Sequence, residues 1–267
     1  MRKFTTSLLL TALASVMSIS AVAAAELNVI KPGTLIIGTT GSSPPSTMFN
    51  DSAELAGLDI DLSKKIAADL GLKAEFVTLD WSGMLAGIQA GRFDMVASSV
   101  ARTPERVASA DFLVSEAYLA NGVGAAKVKD NTTINSWADL CGKAIGIVKG
   151  ANQIVTARKQ FGDACFSNVK EYPGWTELLL DLQNKRIDAL VGNYITPAYL
   201  ISSTNRPLAL LPQSLDVSGN ALVIRKQDPE LRTKIDALLA QYKKDGSLQQ
   251  ITEKWVGKGL SLDQLKK

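Results

Sequence analysis

The chain has 267 residues, 46% of them hydrophobic and 21% charged, enough for more than one globular domain with a buried core. It contains no histidine, which excludes Ser-His and Cys-His nucleophiles, imidazole general bases, and zinc or iron sites that need imidazole. No metal or cofactor is expected. The formal charge of +3 falls to +1 if Arg2 and Lys3 leave with a cleaved leader, so nucleic acid is not expected as a partner.

Such a leader is legible at residues 1–25. Met1-Arg2-Lys3 is basic, Leu8 to Val16 is apolar, and Ala21-Val22-Ala23-Ala24-Ala25 is small, the three-part plan of a secretory signal peptide. Cleavage fits after Ala23 or after Ala25. No cysteine follows the apolar run, which argues against a lipid anchor, and no later stretch approaches the roughly 18 apolar residues of a membrane span. Export to the periplasm is therefore expected, in a compartment that permits disulfides.

Elements then alternate. Thr34 to Gly38 reads as a buried strand. Gly57 to Leu70 reads as a helix, with Leu58, Leu62, Ile66 and Leu70 on one face and Gly71 as its stop. Ala74 to Leu79 is a strand, Ser82 to Ala90 a helix, and Phe93 to Ala97 a strand: the β-α-β-α-β order of an open α/β sheet. Ala120 to Gly124 is glycine-rich and extended, suited to crossing between two units. A second series starts at Ser136, an N-cap for Trp137 to Leu140. It runs through a strand at Ala144 to Val148, a helix from Ala151 to Phe161, a helix from Trp175 to Asn184 and a strand at Asp188 to Val191. Gly219 to Ile224 is a further strand, and Asp228-Pro229-Glu230 starts a helix ended by Gly246, with a short helix containing Trp255 after it. Cys141 and Cys165 precede what read as two adjacent parallel strands, at the same edge of a sheet. A structural disulfide is favoured there over a reactive dithiol.

Several motifs together resemble the polar-amino-acid family (family 3) of periplasmic solute-binding proteins, the receptors of ABC importers. They are Gly57-Leu58-Asp59-Ile60-Asp61-Leu62, Trp81, Gly91-Arg92-Phe93-Asp94-Met95 and Thr103-Pro104-Glu105-Arg106. Asp139-Leu140-Cys141-Gly142-Lys143, Lys149-Gly150 and Arg186-Ile187-Asp188-Ala189-Leu190 continue the likeness. The resemblance implies an α/β, two-lobe type II binding fold, with two open, mainly parallel sheets flanked by helices and a two-strand hinge. Lobe one would be residues 26–121 plus 219–267 and lobe two 125–214, with hinge crossings near 120–126 and 214–220. A small ligand would lie between the lobes, outside the carboxyl ends of the strands.

The resemblance also implies roles. Arg106 would clamp a ligand carboxylate with its planar guanidinium, against the alternative of a surface ion pair with Glu105 or Asp111. Ser98 and Ser99 would offer hydroxyl and N–H groups as they leave a strand, Trp81 would pack on the ligand, and Asn152 would add an amide at a helix start. Arg102 is open between a solvent-facing cation and a further ligand contact.

Two departures bear on specificity. Where relatives hold an ammonium with a carboxylate, this chain has the neutral Asn193. Ser43 and Ser46 replace aromatic residues of the first loop. Either another acid such as Glu116 reaches in, or the ligand lacks a free ammonium at that spot. The expected partners are a small carboxylate or amino acid and an inner-membrane permease, with the protein a monomer and not an enzyme. A cyclohexadienyl dehydratase-like enzyme on the same fold is the alternative.

Overall fold

The computed structural model describes residues 27–204 and 206–256. The expected signal segment, residues 1–25, lies outside them. Strand β1 (Thr34–Thr39) is followed by three short strands, β2 (Ser42–Ser43), β3 (Thr47–Phe49) and β4 (Leu55–Ala56). Then come α1 (Leu58–Asp69), β5 (Lys73–Thr78), α2 (Trp81–Gln89), β6 (Met95–Ala101), the one-turn α3 (Pro104–Val107) and β7 (Phe112–Val114). The second run is β8 (Val123–Val128), β9 (Ile145–Val148), α4 (Gln153–Phe161), β10 (Val169–Tyr172), α5 (Trp175–Gln183), β11 (Ala189–Asn193), α6 (Ile195–Thr204) and β12 (Leu208–Leu210). The chain then forms β13 (Asn220–Arg225), α7 (Pro229–Asp245) and α8 (Ser247–Val256).

These strands build two five-stranded sheets, ordered β5-β1-β6-β13-β7 and β10-β9-β11-β8-β12. In each, the first three strands are parallel and the fourth runs antiparallel to its neighbours. Helices cover both faces of both sheets, so the central strands are apolar on both sides. On one face of the first sheet, Leu58, Leu62 and Ile66 of α1 pack with Leu231, Ile235 and Leu239 of α7; Met84, Ile88 and Phe93 fill the other. Trp137, Ile147 and Phe166 sit in one core of the second sheet, and Tyr172, Trp175 and Leu178 in the other.

The edges of several elements differ from the sequence expectation. β6 runs on to Ala101, so Ser98 and Ser99 lie within it rather than leaving it. Antiparallel pairing with β13 (Val100 with Ala221, Ala101 with Asn220) holds the polar end of this strand, which apolar patterning cannot register. β11 likewise runs on through Gly192 and Asn193, paired with Gly124 and Val123 of β8. The supposed crossing segment at Ala120 to Gly124 therefore enters the second sheet at Val123. The sheet β2-β3-β4 was not foreseen, since strands of two or three residues carry no period. Neither was α6, with its mixed Thr-Pro-Ala-Tyr-Leu-Ile-Ser-Ser sequence.

The chain passes between the sheets twice, from β7 to β8 and from β12 to β13, and the two passages are paired. Leu119 bridges Asn220, and Val123 bridges Leu215. Asn121 Nδ2 donates to Asn220 Oδ1 at 3.0 Å. Both asparagines are buried.

Cys141 and Cys165 are joined by a disulfide whose loop spans 24 positions. Cys141 follows a 3-10 turn, Trp137–Leu140, and Cys165 lies in another, Asp163–Phe166. These turns directly precede the parallel neighbours β9 and β10. The first is fixed by Ser136, whose N–H and hydroxyl both donate to Asp139 Oδ2 at 2.8 and 3.0 Å. The chain-entropy effect of such a loop is about 3 to 4 kcal/mol. Replacing both cysteines with serine should lower the urea midpoint by the equivalent of roughly 3 kcal/mol while leaving the circular dichroism spectrum unchanged. An unaltered midpoint would show that the bridge adds nothing to stability.

Candidate functional site

A cavity of about 470 Å³, its open mouth included, lies between the two sheets. The first half contributes Thr40, Ser43, Trp81, Ser98, Ser99, Ala101 and Arg106. The second contributes Val148, Ala151, Asn152, Gln153, Trp175, Gly192 and Asn193. Most lie at or just beyond the carboxyl ends of β1, β5, β6, β9, β10 and β11, where an open α/β sheet presents its loops. All seven residues singled out in the sequence (Arg106, Ser98, Ser99, Trp81, Asn152, Asn193 and Ser43) meet along this one cavity.

Arg106 sits on α3, whose start is set by Pro104 and by Thr103 Oγ1 accepting the Arg106 N–H at 3.3 Å. Its Nη1 donates to Ala101 O at 2.9 Å, and its guanidinium lies 5.4 Å from the Trp81 ring centroid. Burial pushes its pKa down to about 10, against the opposing pull of Glu105, so it stays charged at neutral pH. Among the described residues no carboxylate lies within ion-pair distance of it. The surface pairing with Glu105 or Asp111 is not formed. Most of its fork of N–H donors therefore remains available to an anion.

Arg102 is oriented elsewhere. Its Nε donates to Ser115 O at 3.0 Å and its Nη2 pairs with Glu116 at 3.2 Å. Glu116 also lies 3.9 Å from Arg232 and is well exposed, so neither residue reaches the cavity. Ser46 is buried away from the cavity too, its carbonyl accepting the Asp59 N–H at 2.9 Å.

Ser99 adopts φ +53, a left-handed conformation that is strained for a residue with a Cβ. It lies where β6 carries extra residues against β13, a bulge between the pairs Ala221–Val100 and Val223–Val96. The Ser99 N–H donates to Asp59 Oδ2 at 2.6 Å, and Tyr118 OH donates to Asp59 Oδ1 at 2.7 Å. Ser99 Oγ accepts from Asn220 Nδ2 at 2.9 Å. Ser98 Oγ accepts the Thr40 N–H at 3.1 Å and donates to Thr40 Oγ1 at 3.0 Å, tying the first loop to the same strand.

From the other half, Asn152 caps α4 without using its side chain for the cap. Asn193 Oδ1 accepts the Thr196 N–H at 3.0 Å, turning the chain into α6. Trp175 lies against Gly192, where an added Cβ would stand 2.7 Å from the indole Cη2, so only glycine fits. Across the gap, Trp81 Nε1 donates to Gly150 O at 3.1 Å and joins the two halves directly. Thr40, Trp175 and Gln153 were not selected from the sequence. Trp175 had a readable signal: like Trp81, it opens a helix directly after a strand.

Residues 35–258 match the family model of the bacterial extracellular solute-binding proteins, family 3. The L-cystine-binding protein TcyJ of Escherichia coli (strain K12) is 31% identical over 233 residues, 86% of each chain. An ancestral arginine-binding protein bound to arginine superimposes with a TM-score of 0.77 at 31% identity, covering 84% of this chain and 99% of that one. An ancestral amino acid-binding protein described as a precursor of cyclohexadienyl dehydratase gives 0.76 at 30% identity, covering 84% and 96%. The fold shared with these structures is the two-lobe, type II periplasmic binding fold.

Burial raises the Asp59 pKa from 3.8 to about 6, against the lowering effects of the Tyr118 hydroxyl and the Ser99 N–H. The folded chain thus holds this proton more tightly than the unfolded chain. The stability from Asp59 is greatest below about pH 4, falls as pH rises toward 6, and is constant above that. Asp59→Asn removes the titration. Its stability relative to the parent, from urea unfolding, should rise by up to about 3 kcal/mol between pH 4 and pH 7. Parallel pH profiles for the two proteins would contradict the assignment.

Proposed function

The chain belongs to family 3 of the bacterial extracellular solute-binding proteins, and from that premise we propose that it is the receptor of an ABC importer. It is exported to the periplasm with its leader removed, and acts as a monomer. It captures an amino acid or related small carboxylate between its lobes and delivers it unchanged to a permease in the inner membrane. Lobe one is the chain up to residue 121 together with that from 219 onward, and lobe two is 125–214. The paired passages near 120–126 and 214–220 form the hinge. Supporting this division, β1, β5, β6, β7 and β13 form one five-stranded sheet and β8 to β12 the other.

The observation that carries the reading is Arg106, an ionised guanidinium in the wall of the interlobe cavity with no carboxylate partner among the described residues. A carboxylate held there gains charge-assisted hydrogen bonds worth about 1.5 to 3 kcal/mol. Ser98, Ser99 and Thr40 surround the anion with polar groups, and the faces of Trp81 and Trp175 enclose the rest of the ligand. Closing the hinge desolvates these contacts, and micromolar binding needs about 8 kcal/mol in total. The relatives' named ligands, cystine and arginine, both carry a carboxylate.

The likeness to a dehydratase precursor gives a second reading, an enzyme on this fold. Expelling a hydroxyl group needs a proton donor. The described residues lining the cavity include no carboxylic acid, which favours capture over turnover. In calorimetric titration with a ligand found by thermal-shift screening, Arg106→Ala should weaken binding at least tenfold, and Arg106→Lys should retain part of the affinity. Affinity within threefold of the parent would remove the clamp. Conversion of prephenate or arogenate by the purified protein would replace the receptor with the enzyme.

A further inference from the structure

Among the described residues, Arg106 is the one ionised side chain lining the interlobe cavity, and no Asp or Glu shares the wall. Of the acids nearby, Asp216 lines two adjoining grooves and not this cavity. Asp59 is sealed behind Ser99, with one oxygen taken by the Ser99 N–H and the other by Tyr118 OH. Glu116 pairs with Arg102 and Arg232. Glu105 faces the adjoining groove and not this cavity.

Asn193 adds a direct polarity to this charge imbalance. It is 8% exposed, and its Oδ1 accepts the backbone N–H of Thr196. A backbone amide can only donate, so that contact fixes which end of the side-chain amide is oxygen. The other end, Nδ2, is a donor, and it makes no hydrogen bond among the described residues. What the cavity presents at Asn193 is therefore N–H. A carbonyl, ether or hydroxyl oxygen satisfies it. A protonated amine meets donor against donor, with no anion in the wall to offset its desolvation. The net charge of the wall agrees: a single cation complements a monoanion better than a zwitterion.

We infer that Asn193 sets specificity, selecting small carboxylates that lack a protonated α-amine, such as 2-oxo, 2-hydroxy or N-acyl acids, over free α-amino acids. The inference rests on the receptor reading and deepens it by naming the ligand class. Asn193→Asp is a suitable probe, because a carboxylate oxygen still accepts the Thr196 N–H and the start of α6 is kept.

The experiment is isothermal titration of the full-length mature protein with the amino, 2-oxo and N-acetyl forms of leucine, phenylalanine, glutamine and arginine. The parent should bind an oxo or N-acetyl form at least tenfold more tightly than the matching amino acid. Asn193→Asp, with its melting temperature confirmed, should reverse that order. A parent that binds an amino acid within tenfold of its partners, or more tightly, and loses it on Arg106→Ala overturns the inference and leaves the receptor reading intact. A parent and an Asn193→Asp variant that both bind no member of the series overturn the two together.

Discussion

A carboxylate with no access to solvent organises one edge of the interlobe cavity. Asp59 lies in the first turn of α1, yet its two oxygens reach Ser99 on β6 and Tyr118 on the passage between the sheets. From Ser99 the chain of hydrogen bonds continues through Asn220, the first residue of β13, to Asn121 on the passage from β7 to β8. Helix, binding strand and crossing segments are thus held by one buried polar network. Such networks are costly when incomplete and rigid when every member is satisfied. This one supplies the acceptor that holds Ser99 in its left-handed conformation. The strain in β6 and the burial of the acid are two sides of the same constraint.

The second organising feature is the division of labour between cations. Two arginines, 102 and 106, lie four residues apart, yet only one serves the cavity. The turn at Thr103-Pro104 separates them: Arg102 stays with β6 and reaches Ser115 and Glu116, whereas Arg106 sits on α3 and turns back toward Ala101 and Trp81. Arg102 neutralises an acid of the first lobe, and that acid is thereby kept from the cavity. The charge of the cavity wall follows from pairing outside it as much as from the residues within.

Much of this was legible in the sequence, for definable reasons. The α/β order, the helix stops at Gly71 and Gly246 and the cysteine pair follow from local chemistry: period, left-handed glycines and position before two strands. Arg106, Trp81 and the serine pair stood out because their motif matched a family in order and spacing. The rest depended on contacts distant in sequence. The continuation of β6 needed β13, more than a hundred residues away, and that of β11 needed β8. Trp175 read as the start of an amphipathic helix, and only the close approach to Gly192 turns it toward the cavity. The fate of Glu116 likewise depended on Arg232 in α7, which no local pattern links to it.

The indole of Trp81 reaches from one lobe to the backbone of the other, through its N–H on Gly150. Trp137 and Trp255 are differently placed, each bonded within a fixed setting, to Gln213 O and to Asp61. Opening the gap would hydrate Trp81, and Trp175 in the facing wall with it, and leave Trp137 and Trp255 as they are. The molecule thus carries its own optical gauge, with ultraviolet emission that tracks the clamshell's state and needs no attached dye.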